Sequence, residues 1–146
     1  MKKNVMVLVF LCAIFFSAKA QEISNNAIGV RISEGFSGVA PEISYQKKVR
    51  TNNRLELNLK LQNSINDLEF VGLYEWVWNI KNNFNWYAGP GIGFRDFSRF
   101  PIFLTGVIGV EYNFTSPLLL SIDYRPETNR SNLLNANLGL SLKYQF

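Results

Sequence analysis

The chain has 146 residues, a length suited to one domain, and it contains a single Cys and no His. Its formal net charge is +4 at pH 7, but three of its 15 Lys and Arg residues lie in the first twenty positions. Without those twenty residues the chain would keep 12 basic and 11 acidic residues and no Cys, which excludes a disulfide framework, a thiolate metal site and a nucleic-acid function based on basicity.

The first twenty residues have the three-part pattern of a secretory signal peptide. Residues 1–3 form a positive start, residues 5–16 are apolar, and Ala18 and Ala20 are the small residues before a cleavage site. Twelve apolar residues make a helix of about 18 Å, shorter than the ~30 Å hydrocarbon core of a bilayer, which disfavours a retained anchor. We therefore expect a signal peptide over 1–20, cleaved after Ala20, and one domain over 21–146.

Alternation of apolar and polar residues predicts eight strands in the remaining chain, because successive side chains of a strand point to opposite faces. The alternation is clearest over 54–62, where Leu occupies every odd position from Leu55 to Leu61, and over 134–146. In chain order the predicted strands span 27–33, 42–49, 54–62, 68–80, 84–95, 102–114, 118–125 and 134–146.

The connections between these segments alternate in length. Short polar turns at 50–53, 81–83 and 115–117 alternate with longer loops at 34–41, 63–67, 96–101 and 126–133. Short turns at one end and longer loops at the other are typical of an up-and-down transmembrane barrel. The sequence therefore predicts an all-β fold, an eight-stranded antiparallel up-and-down transmembrane β-barrel.

The size of the apolar side chains indicates which face of the sheet points outward. The apolar faces of the eight segments carry more large side chains than an eight-stranded lumen could hold, because such a lumen is only wide enough for side chains to fill it. The opposite faces are rich in Gly, Asn, Ser and charged residues. We expect small and polar residues inside, and large apolar residues outside against lipid.

Aromatic residues cluster beside the short turns, as in the interfacial girdle of a membrane barrel. With the N-terminus in the periplasm, this end of the barrel is periplasmic. The predicted periplasmic girdle consists of Trp76, Trp78, Trp86, Tyr112 and Tyr144, with Phe84, Phe114 and Phe146 nearby. A lighter set lies nearer the opposite rim: Phe70, Phe94 and Tyr124.

Several segments resemble the small outer-membrane barrels of the OmpA, OmpX and OmpW type, especially the short barrel proteins of Bacteroidetes. They are 87–94, 106–114, 121–126 and the C-terminal 139–146, which ends in Phe with apolar residues at alternate positions before it. The resemblance implies a monomer in the outer membrane of a Gram-negative bacterium, in contact with lipid and lipopolysaccharide. It further implies that Phe146, Tyr144 and Leu142 form the signal read by the barrel-assembly machinery.

Charged residues on the inward phase form the candidate site. They are Arg31, Glu42, Glu56, Lys60, Glu69, Glu75, Arg95, Glu111, Asp123, Arg125 and Lys143. Charges in a narrow lumen must be paired, and five basic against six acidic residues favour a salt-bridged plug over a gated pore or a catalytic carboxylate pair. Gly89, Gly91 and Gly93 lack the following helix of a phosphate-binding loop, so we interpret them as room for long side chains opposite.

The favoured function is a non-enzymatic outer-membrane barrel with a structural or interaction role and no cofactor. Lipid-modifying barrel enzymes of this size use a catalytic His, which the sequence lacks. Two alternatives stay open. One is a narrow outer-membrane channel for small solutes, and the other is a soluble periplasmic carrier resembling lipocalins, with the apolar phase turned inward.

Overall fold

A computed structural model describes residues 23–35, 38–60, 68–95, 102–114, 117–128 and 136–146. The signal peptide predicted at 1–20 lies outside these residues, as do parts of two predicted strands, 61–62 and 134–135. The strands are β1 (Asn26–Gly35), β2 (Gly38–Arg50), β3 (Asn53–Lys60), β4 (Glu69–Lys81), β5 (Phe84–Arg95), β6 (Ile102–Asn113), β7 (Leu118–Tyr124) and β8 (Leu138–Gln145). Across the described ranges, no helix is long and apolar enough to cross a membrane.

The eight strands form one closed antiparallel barrel in which each strand pairs with its neighbours in the sequence. The barrel closes where β1 pairs with β8, from Ala27 opposite Gln145 to Glu34 opposite Leu138. Closure leaves no strand edge unpaired. The predicted fold, an eight-stranded antiparallel up-and-down barrel, is confirmed.

The pairing register shows how steeply the strands are tilted. Following paired residues from Arg31 in one direction leads through Glu42, Lys60 and Glu69 to Arg95 on β5. The opposite direction leads through Ser141, Ser121 and Glu111 to Asn85 on β5. The two paths therefore meet the same strand ten residues apart, and this stagger gives the tilt, typically 35–45°, of a closed barrel.

The two ends of the barrel differ. The turn end carries both described chain ends and the connections after β2, β4 and β6; the loop end carries the other four connections. The turn after β4 places Asn82 at a φ of 49°, a left-handed conformation that Asn tolerates well. The Asn79 amide closes this turn by donating to the carbonyl oxygen of Asn82 at 2.8 Å.

β2 is longer than predicted. It begins at Gly38, whereas the sequence predicted a loop over 34–41, so only residues 36–37 separate it from β1. Pro41 belongs to the strand and lies opposite Ile32, although a proline in the sequence usually indicates the boundary of a strand. Pro90 lies within β5 as predicted, and no β4–β5 pair is formed between Leu73–Gly91 and Trp76–Ala88.

Burial alternates along the strands with the predicted phase. On β3, Leu57 is 58% exposed, whereas Glu56 and Asn58 are buried on the inner face. The same alternation runs through β7 and β8, where Leu138, Leu140 and Leu142 point outward. The outer surface is thus the apolar one, as the size argument predicted.

The interior is less uniformly small and polar than predicted. One side, lined by β4, β5 and β6, holds an apolar cluster of Val71, Leu73, Val77, Tyr87, Phe103 and Val107. The prediction failed here because it took the less apolar face of each strand as small and polar, whereas the inner face of β4 carries Val71, Leu73 and Val77 as well as two glutamates. The polar and charged side chains occupy the rest of the interior.

Candidate functional site

The barrel interior brings the predicted charged residues together. All eleven lie on the inner face, and only Arg95, at the loop end, has a side chain that is substantially exposed. Lys60 is buried and lies in register between Glu42 and Glu69. Two further charged residues, Arg54 and Glu127, join this set, which we call the interior charge network.

Arg31 links three strands at the centre of the network. Its Nη1 donates to Glu42 Oε1 on β2 at 2.7 Å, and its Nη2 donates to Asp123 Oδ1 on β7 at 2.5 Å. The Ser33 hydroxyl donates to the same Glu42 oxygen at 2.6 Å. A planar guanidinium suits this role, because it presents several donors in fixed directions.

Arg54, which the site prediction missed, is the second buried hub. Its Nε donates to Glu75 Oε2 at 2.6 Å, its Nη1 lies 2.7 Å from Glu111 Oε2, and the guanidinium stacks over the Tyr87 ring at 4.7 Å. The signal was present in the sequence, because Arg54 shares the polar phase of Glu56. Glu111 on β6 is thereby tied to β3 across the lumen.

Glu56 on β3 contacts two cations, Lys143 and Arg125. Lys143 Nζ lies 3.3 Å from Glu56 Oε2, and Arg125 Nη2 lies 3.9 Å from Glu56 Oε1. Arg125 also contacts Glu42, with Nη1 donating to Oε2 at 3.2 Å. Carboxylates on β2 and β3 are therefore neutralised by cations from the last quarter of the chain.

Arg95 forms the loop-end part of the network. It donates to Glu69 at 2.6 Å and to Glu127 at 2.8 Å, and it stacks on the Phe103 ring at 4.5 Å. Glu127 follows β7, outside the strands, and burial together with the Glu69 carboxylate raises the pKa of its carboxyl. The alternation of the strands does not predict that Glu127 is buried, because this residue is held by an isolated bridge to Thr105 outside the strands.

Glycines make room for this packing. A Cβ atom at Gly93 would lie 2.1 Å from the Phe103 ring, and one at Gly109 would lie 2.6 Å from Cζ of Tyr87. Gly93 pairs with Phe103, and Gly109 pairs with Tyr87, so each ring lies over the glycine opposite it. The interpretation of Gly93 as room for a long side chain agrees with this geometry, and Gly109 shows the same relation.

The chemistry of this arrangement is that of charge pairing. Glu42, Glu56, Glu75, Glu111 and Asp123 each contact a guanidinium or ammonium group. In the part of the chain that the structure describes, no group of three or more metal-ligating side chains could hold an ion. The arrangement therefore pairs buried charges of opposite sign with one another.

The predicted girdle residues lie on the outer face at the turn end. Trp78 and Trp86 stack at 4.3 Å, Tyr112 contacts Phe84 and Phe114, and Tyr144 stacks with Phe146. On the same outer face, Leu142 is 46%, Tyr144 53% and Phe146 60% exposed. This placement is the one expected of a girdle, in which amphipathic rings lie at the headgroup level.

Solved structures similar to this barrel include a designed transmembrane β-barrel and an outer membrane protein. A structure described as a de novo designed transmembrane β-barrel superposes with a TM-score of 0.67 at 18% identity, covering 88% of this chain and all of that one. The fold is that of a transmembrane β-barrel. Neisserial surface protein A is similar at a TM-score of 0.57 and 14% identity, covering 83% of this chain and 94% of that one.

Ail, the attachment invasion locus protein of Yersinia pestis, has the same barrel. Its structure in complex with the heparin analogue sucrose octasulfate matches at a TM-score of 0.56 and 13% identity, covering 84% of this chain and 97% of that one. No protein-family model matches the sequence, and no curated protein does. At these identities the similarity concerns the fold.

Proposed function

We propose that this protein is a non-enzymatic barrel of the outer membrane of a Gram-negative bacterium, with a structural or interaction role and a closed interior. The interior charge network is the observation that carries the proposal. Arg31 and Arg54 are fully buried; Arg31 joins β1 to β2 and β7, and Arg54 joins β3 to β6 across the lumen. A lumen crossed by paired side chains leaves no continuous path for solutes.

The outer surface supports the membrane location. Large apolar residues point outward on all eight strands, among them Val30, Leu57, Leu104 and Leu140. A soluble protein does not expose a continuous apolar belt of this kind. Neisserial surface protein A and Ail share the fold, and the C-terminal pattern supports a more specific relation to the OmpA, OmpX and OmpW barrels.

In this proposal the barrel is a monomer whose partners are outer-membrane lipid and lipopolysaccharide. During biogenesis it loses residues 1–20 and is recognised by the barrel-assembly machinery through Phe146, Tyr144 and Leu142. The mass of the protein purified from outer membranes tests the first step. We expect a chain that begins at Gln21, and a mass that includes residues 1–20 contradicts the cleavage.

The two alternatives are less well supported by the geometry. A soluble carrier requires an open apolar interior around a ligand, but the more apolar phase faces outward, and the interior is occupied by ion pairs and by the packed cluster around Tyr87. A narrow channel requires a hydrated path, whereas Arg31, Arg54 and Tyr87 are at most 1% exposed. An enzyme requires a nucleophile or base open to substrate, and the interior carboxylates contact cations instead.

Planar-bilayer conductance tests the closed interior. We expect purified, heat-modifiable protein to insert without producing stable unitary currents, while a large porin in the same bilayers conducts. Stable unitary currents from the folded protein would contradict the closed interior and favour the narrow channel. Flotation with liposomes tests the membrane location independently, and protein that stays in the soluble fraction would favour the carrier.

A further inference from the structure

Exposed charges are distributed unequally between the two ends of the barrel. Among the described residues, the exposed basic side chains are Lys47, Arg50 and Lys81, all at the turn end. The one exposed carboxylate of these ranges, Glu34, lies at the loop end, because the other described acids are buried in the interior. Within the described ranges, the exposed charges at the turn end are therefore all positive.

The three cations lie beside the aromatic girdle. Arg50 pairs with Asn53, which in turn pairs with Trp76, so these three residues are successive neighbours across β2, β3 and β4 near the turn end. Lys81 pairs with Phe84, one residue pair beyond Asn79 and Asn85 and close to the stacked Trp78 and Trp86. Lys47 pairs with Leu55, at the edge of the apolar belt.

This position suits the phosphate groups of a membrane. Aromatic girdles mark the headgroup level of a bilayer, and long Lys and Arg side chains extend their charge into that layer while their stems cover apolar surface. In the described part of the chain, no carboxylate lies within ion-pair distance of Lys47, Arg50 or Lys81. Their charges are thus available to a ligand outside the barrel.

We propose that Lys47, Arg50 and Lys81, together with the tryptophans beside them, form a binding surface for anionic phospholipids in the leaflet at the turn end. The class of ligand follows from the chemistry of the surface, because three cations beside an apolar belt match a phosphodiester with attached acyl chains. An acidic soluble protein would match the charges but not the adjacent belt. The proposal rests on the proposed membrane location.

The tryptophans provide a local probe of this surface. The chain contains three Trp residues, and Trp76, Trp78 and Trp86 all lie at the turn end. Bromine atoms on lipid acyl chains quench tryptophan fluorescence on contact, so the emission reports which lipid surrounds this end. The protein is reconstituted in equal mixtures of phosphatidylglycerol and phosphatidylcholine, with bromine on one lipid or on the other.

We expect brominated phosphatidylglycerol to quench more strongly, with a relative binding constant of about five or more over phosphatidylcholine, the size of the effect of one Lys or Arg near an anionic surface. The Lys47→Gln, Arg50→Gln, Lys81→Gln variant should bring the constant close to one. The matched Lys47→Arg, Arg50→Lys, Lys81→Arg variant keeps the charges and should keep the preference. Higher salt should weaken it.

The possible outcomes separate this inference from the membrane location. Equal quenching by both lipids in the unmodified protein, or an unchanged preference in the glutamine variant, overturns the lipid-binding surface and leaves the membrane barrel intact. Loss of the preference in the charge-preserving variant also overturns it, since the charges would then be irrelevant. Absence of quenching by either lipid means that the tryptophans do not contact bilayer, which contradicts the proposed location itself.

Discussion

Arg31 on β1 reaches Asp123 on β7 across the inner face of β8, and its guanidinium lies directly over Gly139 of that strand. The Nη2–Oδ1 distance is 2.5 Å, whereas a Cβ atom at position 139 would be 2.2 Å from Cζ of Arg31. The ion pair between two strands that are not neighbours therefore depends on the absence of a side chain on the strand between them.

Gly139→Ala should destabilise the barrel by about 1–3 kcal/mol, because the new methyl group displaces a guanidinium held by Glu42 and Asp123. Urea unfolding from detergent micelles, followed by tryptophan fluorescence, measures the change. Gly72→Ala is the matched control on the outer face, where the nearest side-chain atom, Leu57 Cδ2, is 3.6 Å away. It should change stability by less than about 0.5 kcal/mol. If both variants lose the same free energy of unfolding, the contact with the Arg31 guanidinium is not the reason why position 139 needs glycine.

Arg54→Met should cost about 3–5 kcal/mol, because it leaves Glu75 and Glu111 buried without their cation. Adding Glu75→Gln and Glu111→Gln should recover part of that loss, since the uncompensated charges are then removed. Arg50→Met, measured in an uncharged detergent, controls for the loss of a basic residue at an exposed position. If the triple variant is less stable than Arg54→Met alone, the carboxylates are held by contacts other than this ion pair.

Leu57→Arg should impair insertion by about 2–4 kcal/mol if the residue lies near the midplane of the membrane, because it places a charge on the lipid-facing surface. Leu57 is 58% exposed on the apolar outer face, where it pairs with Tyr45 on β2 and Gly72 on β4. Thr51→Arg adds the same charge in an exposed turn outside the strands and should be tolerated. Heat-modifiable gel mobility after refolding into vesicles reports the folded fraction. If Leu57→Arg folds as well as Thr51→Arg, the lipid-facing assignment of Leu57 is contradicted.

Phe146→Ala should lower the amount of protein in the outer membrane while refolding into detergent stays nearly normal. The backbone of Phe146 exchanges hydrogen bonds with Asn26 at 2.9 and 3.1 Å, and the substitution keeps them, so the loss is confined to an exposed ring. An interfacial aromatic contributes only part of a full Phe transfer, about 1–2 kcal/mol. Cellular fractionation and refolding yield are compared. An unchanged level in the outer membrane would exclude a signal role. If the outer-membrane level and the refolding yield fall together, Phe146 contributes to stability instead.

The strands and their faces could be predicted from the sequence because both follow from local alternation. Leu57 and Glu56 differ by one position, and that alone places one outside and the other inside. The start of β2 could not be predicted, since Pro41 is a strand breaker in most settings and its place opposite Ile32 depends on the partner strand. The apolar cluster around Tyr87 was missed because the inner face of β4 mixes Val71, Leu73 and Val77 with two glutamates.

The identity of the ion pairs could not be predicted from alternation. That Arg54 meets Glu111, and Lys143 meets Glu56, depends on the ten-residue stagger of the closed barrel, which no single strand encodes. Glu127 belongs to the network because the chain after β7 bends over Thr105, and this bend has no periodic signature. Arg54 itself was predictable from its phase, and its omission was an error of interpretation.

The cross-lumen ion pairs also constrain the order of events during biogenesis. Arg31 on β1 is neutralised by Asp123 on β7, Arg54 on β3 by Glu111 on β6, and Glu56 on β3 by Lys143 on β8. An open sheet of the first four strands would keep the pairs of Arg31 with Glu42 and of Arg54 with Glu75. It would, however, carry Glu56 into the hydrocarbon without Lys143 and Arg125, at a penalty of several kcal/mol for a buried ion without a partner. Entry into the bilayer is therefore coupled to closure of the barrel. Insertion of the early hairpins is unfavourable until the last strands bring their cations to the interior.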